Sequence, residues 1–167
     1  MHAFSDAQIR ASFINASLRE RSEAVLPVDF ETTDWDNLDY LGWRDRKFAG
    51  TSYVVADIDD EPVGILLRQA EGMPRTRPQC SWCEDIQLPN DVVLFSAKRS
   101  GKAGRNGNTI GTLLCSNFEC SANVRKRPTL AYIGFDLEAE RLRRISVLRE
   151  HVRGFVLDIR DGSQAAL

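Results

Sequence analysis

Histidine and methionine each occur only twice in these 167 residues, tryptophan and tyrosine three times each, and cysteine four times. The two histidines, His2 and His151, stand too far apart in sequence to suggest a catalytic pair. No Gly-x-Ser-x-Gly elbow is present. The loop around Gly101 and Lys102 lacks the earlier glycine and the following Ser or Thr of a phosphate-binding loop. No apolar run approaches the ~20 residues that cross a bilayer. The opening Met1-His2-Ala3-Phe4-Ser5-Asp6 has neither the basic start nor the apolar stretch of a signal peptide. These absences point away from an enzyme, a membrane protein and an exported one. The expectation is a cytoplasmic protein without catalytic residues or a small-molecule substrate.

What is present is unevenly charged. The net charge is only −2. Yet residues 1–72 hold 7 Lys and Arg against 14 Asp and Glu, and residues 73–127 hold 9 against 4. Residues 128–167 are balanced at 6 and 6. A basic middle beside an acidic start fits a module that meets an anionic partner. It equally fits cations gathered around a negatively charged metal–thiolate site.

All four cysteines fall in that basic middle, as two short pairs: Cys80-Ser81-Trp82-Cys83, and Cys115-Ser116-Asn117-Phe118-Glu119-Cys120. A tetrahedral zinc ion takes four thiolates, and two turns with two donors each supply them. Two disulfides require an oxidising compartment that the opening residues do not promise. A redox Cys-x-x-Cys leaves the second pair unexplained, whereas an iron–sulfur cluster accepts the same four thiolates. With Cys80, Cys83, Cys115 and Cys120 all bound, no position stays open for water, so the expected zinc is structural.

Around this centre the sequence reads as an α+β chain. Ser5 and Gln8 make a capping box, with Phe4 placed to staple onto Ile9, and predict a first helix ending near Leu26-Pro27. A short helix is expected through Trp35–Leu41, stopped at Gly42. Thr51–Ile58 and Val63–Arg68 read as a hairpin turned at Asp59–Pro62. Strands at Asp91–Lys98 and Thr109–Leu114 flank a glycine-rich, flexible basic tip, Ser100–Asn108. A long last helix is capped by Asp136, with Leu142, Ile145, Leu148, Val152, Phe155 and Ile159 on its apolar face.

The order of first cysteine turn, hairpin, second cysteine turn and helix is that of a treble-clef zinc finger. Cys80-Ser81-Trp82-Cys83, Leu94-Phe95-Ser96-Ala97-Lys98, the second cysteine segment and Val124-Arg125-Lys126-Arg127-Pro128 resemble the zinc-finger domain of the elongation-factor-G-binding, FusB-type fusidic-acid-resistance family. Leu41-Gly42-Trp43-Arg44-Asp45 resembles that domain's opening motif. The resemblance implies a zinc-bound, non-enzymatic protein that grips elongation factor G and releases it from the ribosome. Resistance-type members precede the domain with a helical bundle; here about forty residues stand in that place, too few for one.

The expected organisation is therefore an N-terminal helix with an acidic aromatic segment (1–40), a treble-clef zinc-binding domain with an antiparallel sheet and a long C-terminal helix (41–160), and a flexible tail (161–167). Phe95, Lys98, Arg99, Phe118, Arg125, Lys126 and Arg127 are the candidate partner-binding residues. An alternative is RNA or ribosome binding, in which the basic tip and the second cysteine turn grip phosphates.

Overall fold

A computed structural model of the protein describes residues 1–72, 76–128, 132 and 134–162. Its centre is a five-stranded antiparallel meander: β1 (Leu41–Arg44), β2 (Thr51–Ile58), β3 (Glu61–Gln69), β4 (Val92–Lys98) and β5 (Thr109–Cys115), in that spatial order. The β2–β3 hairpin turns on two residues, Asp59 and Asp60. Both are left-handed (φ 55° and 68°), the geometry that matches strand twist. Asp57 supports the turn by accepting from the Asp60 N–H at 3.1 Å.

Nearly every residue of β2 is buried, because both faces of the sheet are covered. On one face Val54, Ala56, Ile65 and Leu67 pack with the cysteines and α5 (Leu137–Asp161). On the other, Tyr53, Val55, Leu66 and Trp43 pack with Phe4, Ile9, Phe13 and Phe30 from the N-terminal segment. Each fully buried side chain of this size contributes about 1.5–3 kcal/mol. Helix α5 presents Ile145, Leu148, Val152, Val156 and Ile159 to the sheet, with Asp136 capping it through the Glu138 and Ala139 N–H groups. Two residues of the expected apolar stripe sit elsewhere. Leu142 is 56% exposed, and Phe155 flanks the stripe against Trp82.

Three elements differ from expectation. The single first helix is two, α1 (Asp6–Ser12) and α2 (Leu18–Glu23), each with its own capping box, Ser5/Gln8 and Ser17/Glu20. The break is tertiary. Ile14 N donates to Gly64 O at 2.9 Å. The Asn15 amide pairs with both backbone groups of Leu66, at 2.8 and 3.0 Å, as a strand residue does. Gly64 permits the approach, since a Cβ there would lie 2.5 Å from Ser12 Oγ.

The expected helix through Trp35–Leu41 is a single 3₁₀ turn, Trp35–Asn37, following another at Phe30–Thr32. Gly42 lies inside β1, where a Cβ would meet the Phe118 ring at 2.6 Å. The basic tip is folded rather than free: α3 (Gly101–Arg105) occupies it, and Ser100 binds the end of α5 through Ile159 O and Arg160 O at 2.9 and 2.6 Å. Of the expected tail, residues 163–167 lie outside the described residues.

Candidate metal centre

Cys80 and Cys83 sit on a tight turn closed by Glu84 N donating to Cys80 O at 3.0 Å, with Glu84 left-handed at φ 56°. Ser81 N fastens this turn to Leu113 O of β5 at 2.8 Å. Cys115 ends β5. The chain reverses through Phe118 (φ 62°), whose N–H donates to Cys115 O at 3.0 Å, and Cys120 opens α4 (Cys120–Arg125). Strand and helix thus deliver the second pair, as its spacing led us to expect.

All four thiols are free and buried, with their sulfurs within 4.8 Å of one another. Cys80 and Cys120 Sγ are 3.6 Å apart, and Cys83 and Cys115 Sγ 3.7 Å. A regular tetrahedron with zinc–sulfur bonds of about 2.3 Å has edges of about 3.8 Å, so the donor set fits zinc. The same separations are far beyond a disulfide. Hydrogen bonding with Cys115, Cys120 and Cys83 pulls the Cys80 thiol far below its ordinary range, while hydrogen bonding to Cys115 drives Cys120 well above it. Such a cluster shares its protons unevenly, and a dication takes their place.

The sequence reading missed Asn123. It is fully buried on α4, and its Nδ2 donates to Cys115 Sγ at 3.5 Å and Cys83 Sγ at 3.8 Å. These bonds orient one sulfur from each pair and delocalise thiolate charge. The available signal was its spacing, one helical turn beyond Cys120. Replacing Asn123 by Leu is expected to weaken zinc binding about 10–100-fold, measured by competition with a chromophoric chelator. An unchanged affinity would remove Asn123 from the site.

Around the sulfurs, Tyr40 O–H donates to Phe118 O at 3.2 Å, and its ring meets Trp82 edge-on at 5.0 Å. Burial, reinforced by the Cys120 sulfur, raises its pKa well above the ordinary phenol value, so Tyr40 stays a donor. His151 Nδ1 lies 3.1 Å from Trp82 O and ties the first turn to α5.

Compared with known families, residues 8–159 match the model of the FBP C-terminal treble-clef zinc-finger. The chain belongs to that family. Zinc is therefore the metal that the four sulfurs hold, and the treble clef expected from the sequence stands. No curated protein matches the sequence. Among solved structures, the fusidic acid resistance protein FusC is similar in fold, with a TM-score of 0.55 and 21% identity. The match covers 74% of this chain and 53% of that chain. This member of the FBP zinc-finger family thus spans about half the length of FusC.

The family fold separates the seven candidate partner-binding residues. Phe95 is 0% exposed in the core, its ring tilted against that of Phe118 with centroids 5.4 Å apart. Phe118 itself is buried against Gly42. Neither ring reaches the surface, which corrects their expected use as apolar anchors. Arg99 is committed to Asp158, Nη1 to Oδ1 at 2.8 Å. Arg125 is committed to the buried Asp39, Nη1 to Oδ2 at 2.5 Å. Lys98, Lys126 and Arg127 remain exposed. Lys126 and Arg127 edge a groove of about 310 Å³ that Ile86, Phe135, Arg143 and Arg144 also line.

Proposed function

We propose that this protein binds translation elongation factor G as a non-enzymatic, cytoplasmic partner and promotes its release from the ribosome. The observation that carries the reading is the match of residues 8–159 to the FBP treble-clef family. The likeness in fold to a fusidic acid resistance protein accords with it. The groove at the exit of α4, with Lys126 and Arg127 exposed on its rim and Glu84, Asp85 and Glu140 also in its lining, is the contact surface. Lys126 and Arg127 supply charge complementary to an acidic patch, and Ile86, 69% exposed, supplies an apolar anchor in place of Phe95. Helix α4 and the zinc hold that surface in place. Among the described residues no helix is long and apolar enough to cross a membrane.

Titration calorimetry of the zinc-loaded protein against elongation factor G, at two salt concentrations, tests this. Saturable one-to-one binding is expected. The double variant Lys126→Glu, Arg127→Glu should bind at least about tenfold more weakly, with zinc content and melting temperature unchanged. Arg125 is unsuited to this test, since its reversal breaks a buried ion pair. No binding by the zinc-loaded protein, together with steeply salt-dependent binding to ribosomal RNA, would replace the reading with the nucleic-acid one.

A further inference from the structure

The sheet has an open edge that the zinc site does not use. Strand β1 pairs with β2 alone. Asp45 N donates to Thr51 O at 2.9 Å. In an antiparallel ladder that bond makes Trp43–Tyr53 and Leu41–Val55 the hydrogen-bonded pairs. The N–H and C=O groups of Gly42 and Arg44 therefore point away from β2, and among the described residues they have no partner.

This edge is the floor of a groove of about 830 Å³. One wall is the turn segment with Asp29, Asp34 and Asn37, and the other is the start of α4 with Ser121 and Ala122. Four residues of β1 give the floor a length of about 13 Å. The absent side chain of Gly42 lets Phe118 close the inner face. Arg44 is tethered by its guanidinium to Ser116 O at 3.2 Å and to Gln69 Oε1 at 2.5 Å, which ties β1 to the second cysteine turn and to the end of β3.

The turn segment is strongly acidic. Asp29, Glu31, Asp34 and Asp36 are all exposed and form no ion pair among the described residues. The two arginines nearest the groove are otherwise engaged, Arg44 as above and Arg125 with Asp39.

We propose that this groove takes an extended, basic segment of a partner protein, which adds to β1 as a sixth antiparallel or parallel strand. Its backbone pairs with Gly42 and Arg44, and its Lys or Arg side chains reach Asp29 and Asp34. Main-chain pairing gives such complexes their affinity, and alternate side chains give their specificity. This edge has no bulge or proline, and its one charged side chain, Arg44, is drawn aside to Ser116 and Gln69, which leaves its backbone a template for this mode. The proposal is independent of the elongation-factor reading, which uses the separate groove edged by Lys126 and Arg127.

The probe is a blocked eight-residue peptide of alternating lysine and valine, titrated into the zinc-loaded protein and followed by amide NMR. Two further versions are N-methylated on alternate residues, one on each phase. Strand addition predicts shifts centred on Gly42 and Arg44, slowed exchange of both amides, and loss of binding for one methylated phase only. The double variant Asp29→Asn, Asp34→Asn should weaken the peptide at least about tenfold, and a glutamate–valine peptide should not bind. Equal binding by both methylated peptides, or shifts centred elsewhere, overturns the proposal. So does protection of Gly42 and Arg44 that grows with protein concentration without peptide, which assigns the groove to a second copy.

Discussion

Removing zinc is expected to unfold this protein's core, lowering the melting temperature by more than about 15 °C. Structural zinc in finger peptides contributes about 10–16 kcal/mol, against a total stability of about 5–15 kcal/mol for an ordinary domain. Half of the metal term, about 5–8 kcal/mol, already matches the lower part of that margin, and each kcal/mol moves the transition by about 2–4 °C at this chain length. The cysteines also sit within the larger hydrophobic cluster, together with Trp82, Phe95, Val124 and the buried stripe of α5. Without the dication, four sulfurs as close as 3.6 Å must either take up protons or repel one another. The two turns then lose their common anchor, and α4 and α5 lose theirs. Cys115→Ser should reproduce the effect without chelator. Protons compete with zinc for the thiolates, so the metal's contribution is present at neutral pH and disappears as the solution is acidified. Calorimetry with and without chelator, alongside elemental analysis, measures this. A protein that loses its zinc yet melts unchanged would overturn the structural role.

The zinc centre was legible because its information is local. Each ligand pair lies within six residues, and the strand before Cys115 and the helix after it have their own propensities. The helix caps at Ser5 and Asp136 were legible for the same reason. Where the sequence misled, the deciding contact lay far along the chain. Asn15 leaves the first helix because Leu66, 51 positions later, offers it both backbone groups. Phe95 illustrates a second limit. Alternation in β4 allows either Val92-Leu94-Ser96 or Val93-Phe95-Ala97 to face inward, and both sets begin with valine. The structure buries Phe95 and leaves Leu94 44% exposed. Parity in such a strand is set by what covers the sheet, which no local pattern encodes. The basic residues misled for a related reason. Arg99 and Arg125 resemble a binding surface in sequence, whereas their carboxylates lie 59 and 86 positions away.

Replacing Asp39 by Ala is expected to destabilise the protein by about 3–5 kcal/mol, the range for breaking a buried ion pair. The Asp39 carboxylate is fully buried and accepts a forked pair from Arg125, at 2.5 and 3.2 Å, plus Arg149 Nε at 2.8 Å. Its own N–H donates to Ser121 Oγ at 3.0 Å. One side chain thus joins the N-terminal segment to both α4 and α5. Its loss leaves Arg125, only 18% exposed, without its carboxylate beside the zinc-bearing helix. The two arginines should respond differently. Arg149 is 59% exposed, so solvent screens its share and Arg149→Ala should cost no more than about 1 kcal/mol. Arg125→Ala should approach the effect of Asp39→Ala, and the double variant should lose less than the sum, because each single change strands the other's charge. Denaturant titrations of the four proteins provide the cycle. If Asp39→Ala unfolds at the same denaturant concentration as the parent, the N-terminal segment is held without this ion pair, by the aromatic packing of Phe4, Phe30 and Trp35 and by its remaining hydrogen bonds. If the cycle shows the expected coupling, the arginine that looked like a binding residue in sequence is the one that fixes the acidic segment against the finger.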